Sequence, residues 1–187
     1  MYNEKLKPIL EDIENKETHI AGGSVVGIVL ACTNSLIEYI CNLTIGKQKY
    51  IDVEEEVKQI LQEAEKLKQK NLQSIDKDKE VLEEILIKYK NRKEAPKEYE
   101  EANKKAVEFC LEVMKDAMKT LELTDKISKC GNKMLSSDFE ICKYYAIASV
   151  KASIVNIEIN LESISDVEFK SKKQEEYKNF YKKIENY

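Results

Sequence analysis

Hydrophobic residues recur at helical spacing along most of the chain. Between Lys47 and Ala95 there is neither glycine nor proline, and apolar residues return every three or four positions, as they do along the buried face of a helix. This pattern predicts one long helix or two nearly collinear ones, with Asp52 as the N-cap. Pro96 interrupts the stretch, and a second long helix is predicted from about Pro96 to Cys130.

Shorter helices complete the pattern. Gly131 is predicted to cap the helix before it, and a third helix begins near "SSD", at residues 136–138, and ends at about Ser163. The segment "SISDVEF" then caps a final, highly charged helix. Because no stretch has the pattern of a strand, we predict an all-α protein, a bundle of about five or six helices forming a single domain over residues 1–187.

Two segments differ from the rest because they are apolar nearly all round: "IVLACTNSLIEYICNLTI" and "ICKYYAIASVKASIVNIEINL". Helices of this kind lie in the middle of a bundle, so we predict that these two are central. The first has no charged side chain from Ile20 to Ile37, which approaches the length of a membrane span. The polar residues Ser24, Thr33 and Asn34 lower the hydrophobicity of this segment. We therefore favour a buried helix and expect no membrane partner.

The composition narrows the classes of function. Charged residues make up 35% of the 187 residues and the net charge is -4. Lysine and glutamate are interleaved rather than clustered by sign, which argues against a nucleic-acid partner. The five cysteines include no C-x-x-C pair, so we expect no metal site. Their pattern indicates free thiols in a reducing compartment, and we expect the protein to be cytoplasmic. The acidic N-terminus does not have the pattern of a signal peptide.

Three of the five glycines lie in the stretch "AGGSVVG", at Gly22, Gly23 and Gly27. No apolar strand precedes them and no Gly-Lys-Ser/Thr follows, which excludes the common nucleotide-binding loops. Gly27 is explained by close packing between helices. Gly22 and Gly23 predict a turn at the start of a helix, where backbone N–H groups can meet an anionic or carbonyl ligand.

Polar residues also gather at three other places: "NLTIGKQKY", "SIDKDKE" and "GNKMLSSD". Each has a purely structural interpretation, respectively a C-capped helix end, a solvated helix face, and a helix stop followed by a cap. Residues two apart on a helix do not share a face, so Asp76 is expected to lie beside Glu80 and not beside Asp78.

In this order and spacing, the motifs "GGSVVG", "LTIGKQKY", Asp-x-Asp, "GNxxxxSD" and "VNIEINLESISD" resemble the cyclodeaminase/cyclohydrolase family of folate enzymes. The resemblance covers about residues 1–170. It implies an all-helical homodimer that acts on a tetrahydrofolate derivative, either as a methenyltetrahydrofolate cyclohydrolase or as a formiminotetrahydrofolate cyclodeaminase, an ammonia lyase. Neither reaction requires a cofactor beyond the folate substrate, because carboxylates of suitable pKa can transfer the protons.

The resemblance also implies roles for single residues. Asp138 and Asp76 are the expected acid/base pair. The expected substrate-binding residues are Gly22, Gly23 and Ser24 in the turn, Lys47, Lys49 and Tyr50 after the first apolar helix, and Asp78, Asn132 and Ser137. The lysines could meet the glutamate tail of the folate. Asn156 and Asn160 match the family's Asn-Val-x-Ile-Asn, with hydrogen bonds inside the core as the alternative explanation.

Two positions depart from the family pattern. Ala21 stands where the family has a glycine, which makes the turn less permissive. Lys79 replaces the usual small residue after the Asp-x-Asp, and a Lys79 directed into the site would pair with Asp76 and spoil it as a proton donor. A catalytically inactive relative, a helical dimer that binds a ligand or partner, is therefore the alternative to an enzyme.

Overall fold

The computed structural model describes residues 2–185 and 187. Within them the chain forms six α-helices and two short 3-10 turns, and no strand. The helices are α1 (Tyr2–Glu14), α2 (Gly22–Asn42), α3 (Glu54–Lys90), α4 (Pro96–Cys130), α5 (Ser136–Glu162) and α6 (Val167–Ile184), and the 3-10 turns are Gln48–Val53 and Lys133–Leu135. The prediction of an all-α bundle is confirmed.

Three helices, α2, α4 and α5, run the length of the core. Helix α6 packs along α4 and α5, and its Tyr177 and Ile184 join a buried cluster there. Helix α3 packs along α2 and α4, with Asp78 near the start of α2 and with Val57 and Ile60 near its end. Helices α2 and α5 are antiparallel, since the start of α2 lies near the last turns of α5 and its second half near the first. This arrangement leaves two distinct ends at which polar groups meet.

Helix α2 is the only helix in the described part of the chain that is long and apolar enough to cross a membrane, and 56% of its apolar window is buried inside the protein. It packs against α3, α4 and α5. The expectation that it is a core helix therefore agrees with its surroundings.

One hydrogen-bonded pair fixes α2 on α4. The Asn34 side chain is fully buried, and its Nδ2 donates to Thr120 Oγ1 at 3.0 Å and to the Leu30 carbonyl at 2.9 Å. Nearby, Gly27 lets α2 approach α3: a Cβ at this position would lie 2.7 Å from Ser74 Oγ and 3.1 Å from the Asn71 carbonyl oxygen. The interpretation of Gly27 as a packing residue is supported by these distances.

The helix ends agree with the sequence in most places. Helix α4 begins at Pro96 and ends at Cys130, and Asp166 caps α6 by accepting from the Phe169 amide at 3.0 Å. The predicted N-cap at Asp52 is wrong, because a 3-10 turn occupies Gln48–Val53 and α3 begins after it at Glu54.

Two apolar surfaces stay exposed. On α5, apolar side chains follow the outer face at helical spacing, and Ile141, Tyr145, Val155 and Ile159 are all exposed. Helix α1 buries none of its side chains, and its apolar stripe of Tyr2, Leu6, Ile9 and Leu10 faces outward. Apolar helices in this bundle are therefore not covered on every side.

Replacing Thr120 by valine should lower the free energy of unfolding by about 1–3 kcal/mol, because the buried Asn34 amide loses its partner on α4. Thr124→Val is the matched control: Thr124 is also buried in α4 and its hydroxyl bonds only within its own helix, at the Thr120 carbonyl. Urea denaturation of both variants measures the difference. Equal losses would contradict a stabilising role for the Asn34–Thr120 pair.

Candidate functional site

The start of α2 is held by a carboxylate from α3. Asp78 Oδ2 accepts a hydrogen bond from the Ser24 backbone N–H at 2.7 Å and from Ser24 Oγ at 2.9 Å. Ala21, at the N-cap position, makes no side-chain bond of its own. Asp78 therefore accepts a hydrogen bond from a backbone N–H of the first turn, as an N-cap side chain would, although it lies 54 residues away in the sequence.

Gly23 is required by the same contact. A Cβ built on Gly23 would lie 2.0 Å from Asp78 Oδ1 and 2.5 Å from its Cγ, far inside van der Waals distance. Gly22 has no such restriction, since the nearest atom to its Cβ position is Asn156 Oδ1 at 3.9 Å. Of the predicted glycine pair, Gly23 lets the backbone approach the carboxylate, whereas a Cβ at Gly22 would make only an ordinary van der Waals contact.

The departure at Ala21 does not strain the turn. Its backbone is extended, with φ -118°, a conformation that any residue adopts. The left-handed conformation falls instead at His19, with φ 57°, whose ring nitrogen Nδ1 lies 3.2 Å from Glu83 Oε1 on α3. The expectation of a less permissive turn is therefore not supported at this position.

Beside Asp78 lies a cavity of about 290 Å³, which we call the Asp78 cavity. Its floor and walls come from α2, α3, α4 and α5, and several walls are aliphatic, among them Val81, Leu82 and Ile85. The polar groups that face it are Asp78, Tyr99, Asn103, Asn156, Asn160 and Ser163. An apolar cavity with a few convergent polar groups is the usual form of a small-molecule site.

Burial raises the pKa of Asp78, and the two hydrogen bonds from Ser24 oppose this effect only in part. The neighbouring Cys110, which also lines the cavity, has its pKa raised to about 12, first by burial and then by the charge of Asp78. The thiol therefore stays protonated at neutral pH and is a poor nucleophile. Among the side chains that line this cavity, Asp78 is the carboxyl whose raised pKa suits it to acid/base chemistry.

The structure brings together four of the predicted site residues and separates the others. Gly22, Gly23, Ser24 and Asp78 meet at the start of α2. Lys47, Lys49, Tyr50, Asn132, Ser137 and Asp138 lie beyond the other end of this helix, around the start of α5. Because α2 has 21 residues, the two ends are roughly 30 Å apart.

The second group is organised around Tyr50 and Asn132, and we call Lys47, Lys49, Tyr50 and Asn132 the Tyr50 cluster. The Tyr50 hydroxyl donates to Asn132 Oδ1 at 3.4 Å and accepts from the Lys133 amide at 3.1 Å. The Asn132 backbone N–H donates to Thr44 Oγ1 at 3.0 Å. Lys49 Nζ lies 5.5 Å from the centre of the Tyr50 ring, and both lysines are exposed.

Asp76 lies elsewhere. It is exposed and faces a wide groove between α3 and α4, together with Glu80, Lys77 and Lys105. This groove is larger than the Asp78 cavity, about 660 Å³, but its polar rim is charged and solvated. Lys79 Nζ lies 4.0 Å from Glu83 Oε1, and Lys79 does not line the Asp78 cavity. The ion pair between Lys79 and Asp76 that would spoil a proton donor is absent from the described contacts.

Sequence reasoning missed the contribution of α4 to the cavity. Tyr99 and Asn103 line it, with the Tyr99 hydroxyl 3.1 Å from Ser163 Oγ and Asn103 almost fully buried. One signal was available: Asn103 is a polar residue on the same helical face as Ala102, Ala106 and Cys110. A buried amide in an apolar stripe needs a partner or a ligand.

Comparison with known proteins gives the same family from sequence and from structure. A sequence model of the Formiminotransferase-cyclodeaminase family matches residues 5–179. The methenyltetrahydrofolate cyclohydrolase of Methylorubrum extorquens is 26% identical over 181 residues, which cover 93% of this chain and 87% of that protein. The crystal structure of formiminotetrahydrofolate cyclodeaminase from Thermotoga maritima has a TM-score of 0.91 at 29% identity, over 97% of this chain and 90% of the other.

The pH dependence of stability tests the environment of Asp78. Its folded pKa is raised, so the half-buried carboxyl destabilises the fold once it ionises, as the pH rises from its ordinary pKa of about 3.9 through the raised value. Asp78→Asn removes this loss. Relative to the parent, the variant should therefore gain unfolding free energy between pH 4 and pH 8, measured by urea denaturation.

The control for this measurement is Asp76→Asn, which makes the same change in net charge at an exposed position two residues away. Its difference from the parent should vary less with pH than that of Asp78→Asn. A parallel pH dependence for the two variants would mean that burial does not perturb Asp78.

Proposed function

Because the chain belongs to the formiminotransferase-cyclodeaminase family, we propose that it acts on a tetrahydrofolate carrying a one-carbon unit, as a methenyltetrahydrofolate cyclohydrolase or a formiminotetrahydrofolate cyclodeaminase. The proposal is supported by two relatives that carry one of these activities each and match nearly the whole chain. The observation that carries it is the half-buried Asp78 carboxyl at the wall of an otherwise largely apolar cavity.

Both substrates share one electrostatic feature. The methenyl carbon lies between two nitrogens that share a positive charge, and a formimino group becomes a similar cation when it takes up a proton. A carboxylate within a few ångströms stabilises such a cation, and the cation in turn favours the ionised carboxylate. Asp78 is therefore matched to the part of the substrate that reacts in either case.

In the hydrolase reaction, water adds to the methenyl carbon, one of its protons passes to N5 and the other is released to solvent, and the bond from this carbon to N5 breaks while the formyl group stays on N10. In the deaminase reaction, N10 attacks the protonated formimino carbon on N5, and the N10 proton passes to the departing nitrogen, which leaves as ammonia and leaves the methenyl cation. Each reaction moves a proton between two atoms that are bonded to the same carbon. We assign this transfer to Asp78, held in place by Ser24.

The rest of the cavity suits the pterin ring. Asn103, Asn156 and Asn160 line it with amide groups. The Nδ2 atoms of Asn103 and Asn160 donate to the carbonyls of Tyr99 and Asn156, and the amide oxygens can accept from the donors of such a ring. At about 290 Å³, the cavity is at the lower end of roughly 300–1,000 Å³ for small-molecule sites. It therefore takes the ring and the reacting carbon, and the acidic tail lies outside.

The other expectations from the sequence are part of this proposal. Lys47 and Lys49 bind the glutamate tail, and the protein acts as a cytoplasmic homodimer without a cofactor. Asp138 and Asp76 stay predictions as the acid/base pair. The geometry favours Asp78 over both, because Asp76 faces a solvated groove and Asp138 lies at the far end of α2.

The first test is a direct assay. Purified protein is given methenyltetrahydrofolate and, separately, formiminotetrahydrofolate, and loss of the first and release of ammonia from the second are followed. We expect at least one rate well above the buffer control, and the larger rate assigns the reaction. Rates at the level of buffer for both substrates, with folded protein, would contradict the proposal.

The second test ranks the three aspartates by the same assay. Asp78→Asn should lower kcat by about 10²–10⁴-fold, the usual contribution of a positioned acid or base. Asp76→Asn should stay within about twofold, because this side chain faces solvent away from the cavity. If Asp138→Asn loses activity and Asp78→Asn keeps it, the proton transfer belongs to Asp138.

A further inference from the structure

Asp78 also borders a second, much smaller pocket. Its volume is about 10 Å³, and it lies between α2, α3, α4 and α5. We call it the inner pocket, and its walls include Asp78, Ser153, Asn156, Val26, Phe109 and Val113. Four residues line both the inner pocket and the Asp78 cavity: Gly23, Asp78, Cys110 and Asn156. The carboxyl therefore stands where a space for a ring meets a space that is far too small for one.

The size of the inner pocket fits one water molecule. A pocket of about 10–15 Å³ is enough to hold a water molecule, which needs two to four polar partners to be stable there. Three polar side chains line the inner pocket: Asp78, Ser153 and Asn156. Ammonia is of nearly the same size as water and also both donates and accepts hydrogen bonds. The inner pocket therefore suits either molecule and excludes larger ones.

The polar groups of the inner pocket have hydrogen-bonding capacity left for such a molecule. Both hydrogen bonds from Ser24 go to Asp78 Oδ2, and the carboxylate has a second oxygen, Oδ1, that can accept. The Ser153 hydroxyl donates to the Ser149 carbonyl at 2.9 Å, so its oxygen can accept as well. Asn156 contributes an amide whose NH₂ group can donate. A water molecule could therefore donate to Asp78 and Ser153 and accept from Asn156.

The inner pocket also lies close to solvent on a side that the Asp78 cavity does not occupy. Phe109 and Val113 line both the inner pocket and the wide groove between α3 and α4, so these two side chains stand between the pocket and the groove. Phe109 is only half-buried. A folate ring in the Asp78 cavity closes the cavity side to solvent, whereas the approach from the groove stays open.

We propose that the inner pocket is the site of the small reactant: it holds the water that attacks the methenyl carbon in the hydrolase reaction, or receives the ammonia that leaves in the deaminase reaction. This inference rests on the proposed function. Ser153 and Asn156 are then positioning residues, because they orient the small molecule against Asp78 while the folate ring occupies the cavity.

The proton balance is that of the proposed reactions. In the hydrolase reaction, the water oxygen bonds to the methenyl carbon, and the electron pair of the bond from this carbon to N5 goes to N5. Asp78 passes one water proton to N5, and the other is released to solvent. In the deaminase reaction, Asp78 passes the N10 proton to the departing nitrogen, which takes the electron pair of its bond to carbon and enters the inner pocket as ammonia.

Filling the inner pocket from its apolar walls tests this inference. Val26→Ile on α2 and Val113→Ile on α4 each add one methylene group beside the pocket and leave its polar side chains in place. The added group takes the space of the small molecule while the Asp78 cavity keeps its shape. In the folate assay, kcat should therefore fall by roughly tenfold or more, and KM for the folate should stay within about twofold of the parent value.

Val107→Ile is the matched control. Val107 is fully buried in the same helix as Val113, and it lines neither the inner pocket nor the Asp78 cavity. The control adds the same group to the core, so its kcat should stay within about twofold of the parent value. The double variant Val26→Ala/Val113→Ile gives back the lost space from the opposite wall, and most of the parent kcat should return.

Crystal structures test the pocket without reference to activity. In the parent protein we expect one ordered solvent molecule within hydrogen-bond distance of Asp78, Ser153 and Asn156. In the Val113→Ile variant this molecule should be displaced, with the fold unchanged. A parent structure without ordered solvent at this position overturns the inference.

The kinetic outcomes separate the two proposals. If both filled variants keep the parent kcat, the solvent in the inner pocket is only structural, and the inference fails while the enzymatic function stands. If Val107→Ile loses as much kcat as Val113→Ile, the loss comes from overpacking and the inference also fails. A folded parent protein that turns over neither folate overturns the proposed function, and with it the role of the inner pocket.

Discussion

The contact between Asp78 and Ser24 is the constraint on which the site depends. It joins the start of α2 to the second half of α3, and it places a half-buried carboxylate against the backbone of Gly23. One group thereby performs two tasks that usually fall to different residues, because it caps a helix and faces a cavity. The chemistry of the site and the packing of α2 on α3 consequently cannot be changed independently.

Much of the fold could be predicted from the sequence, and the exceptions have physical causes. Pro96 and Asp166 place helix starts correctly because their effects are local. The position of Asp52 was misjudged because a tight 3-10 turn replaces the first helical turn expected there. Helical periodicity separates the faces of Asp76 and Asp78, but only the docking of α3 against α2 decides which carboxylate faces the glycines.

The site follows the same division. The glycine turn and the Asp-x-Asp were found from sequence because their motifs are contiguous. Tyr99 and Asn103 were not, because α4 brings them to the cavity through packing that no local pattern records. Apolar periodicity also does not distinguish a covered apolar face from an uncovered one, and α5 has both a buried face and an exposed apolar face.

Helix α1 shows a consequence of leaving an apolar stripe uncovered. Its 13 residues bury no side chain, and a helix of about 12–15 residues is only marginally stable on its own in water. Its stability therefore depends on whether Leu6, Ile9 and Leu10 are covered. Amide exchange in α1 is consequently a natural reporter of any contact that covers this stripe.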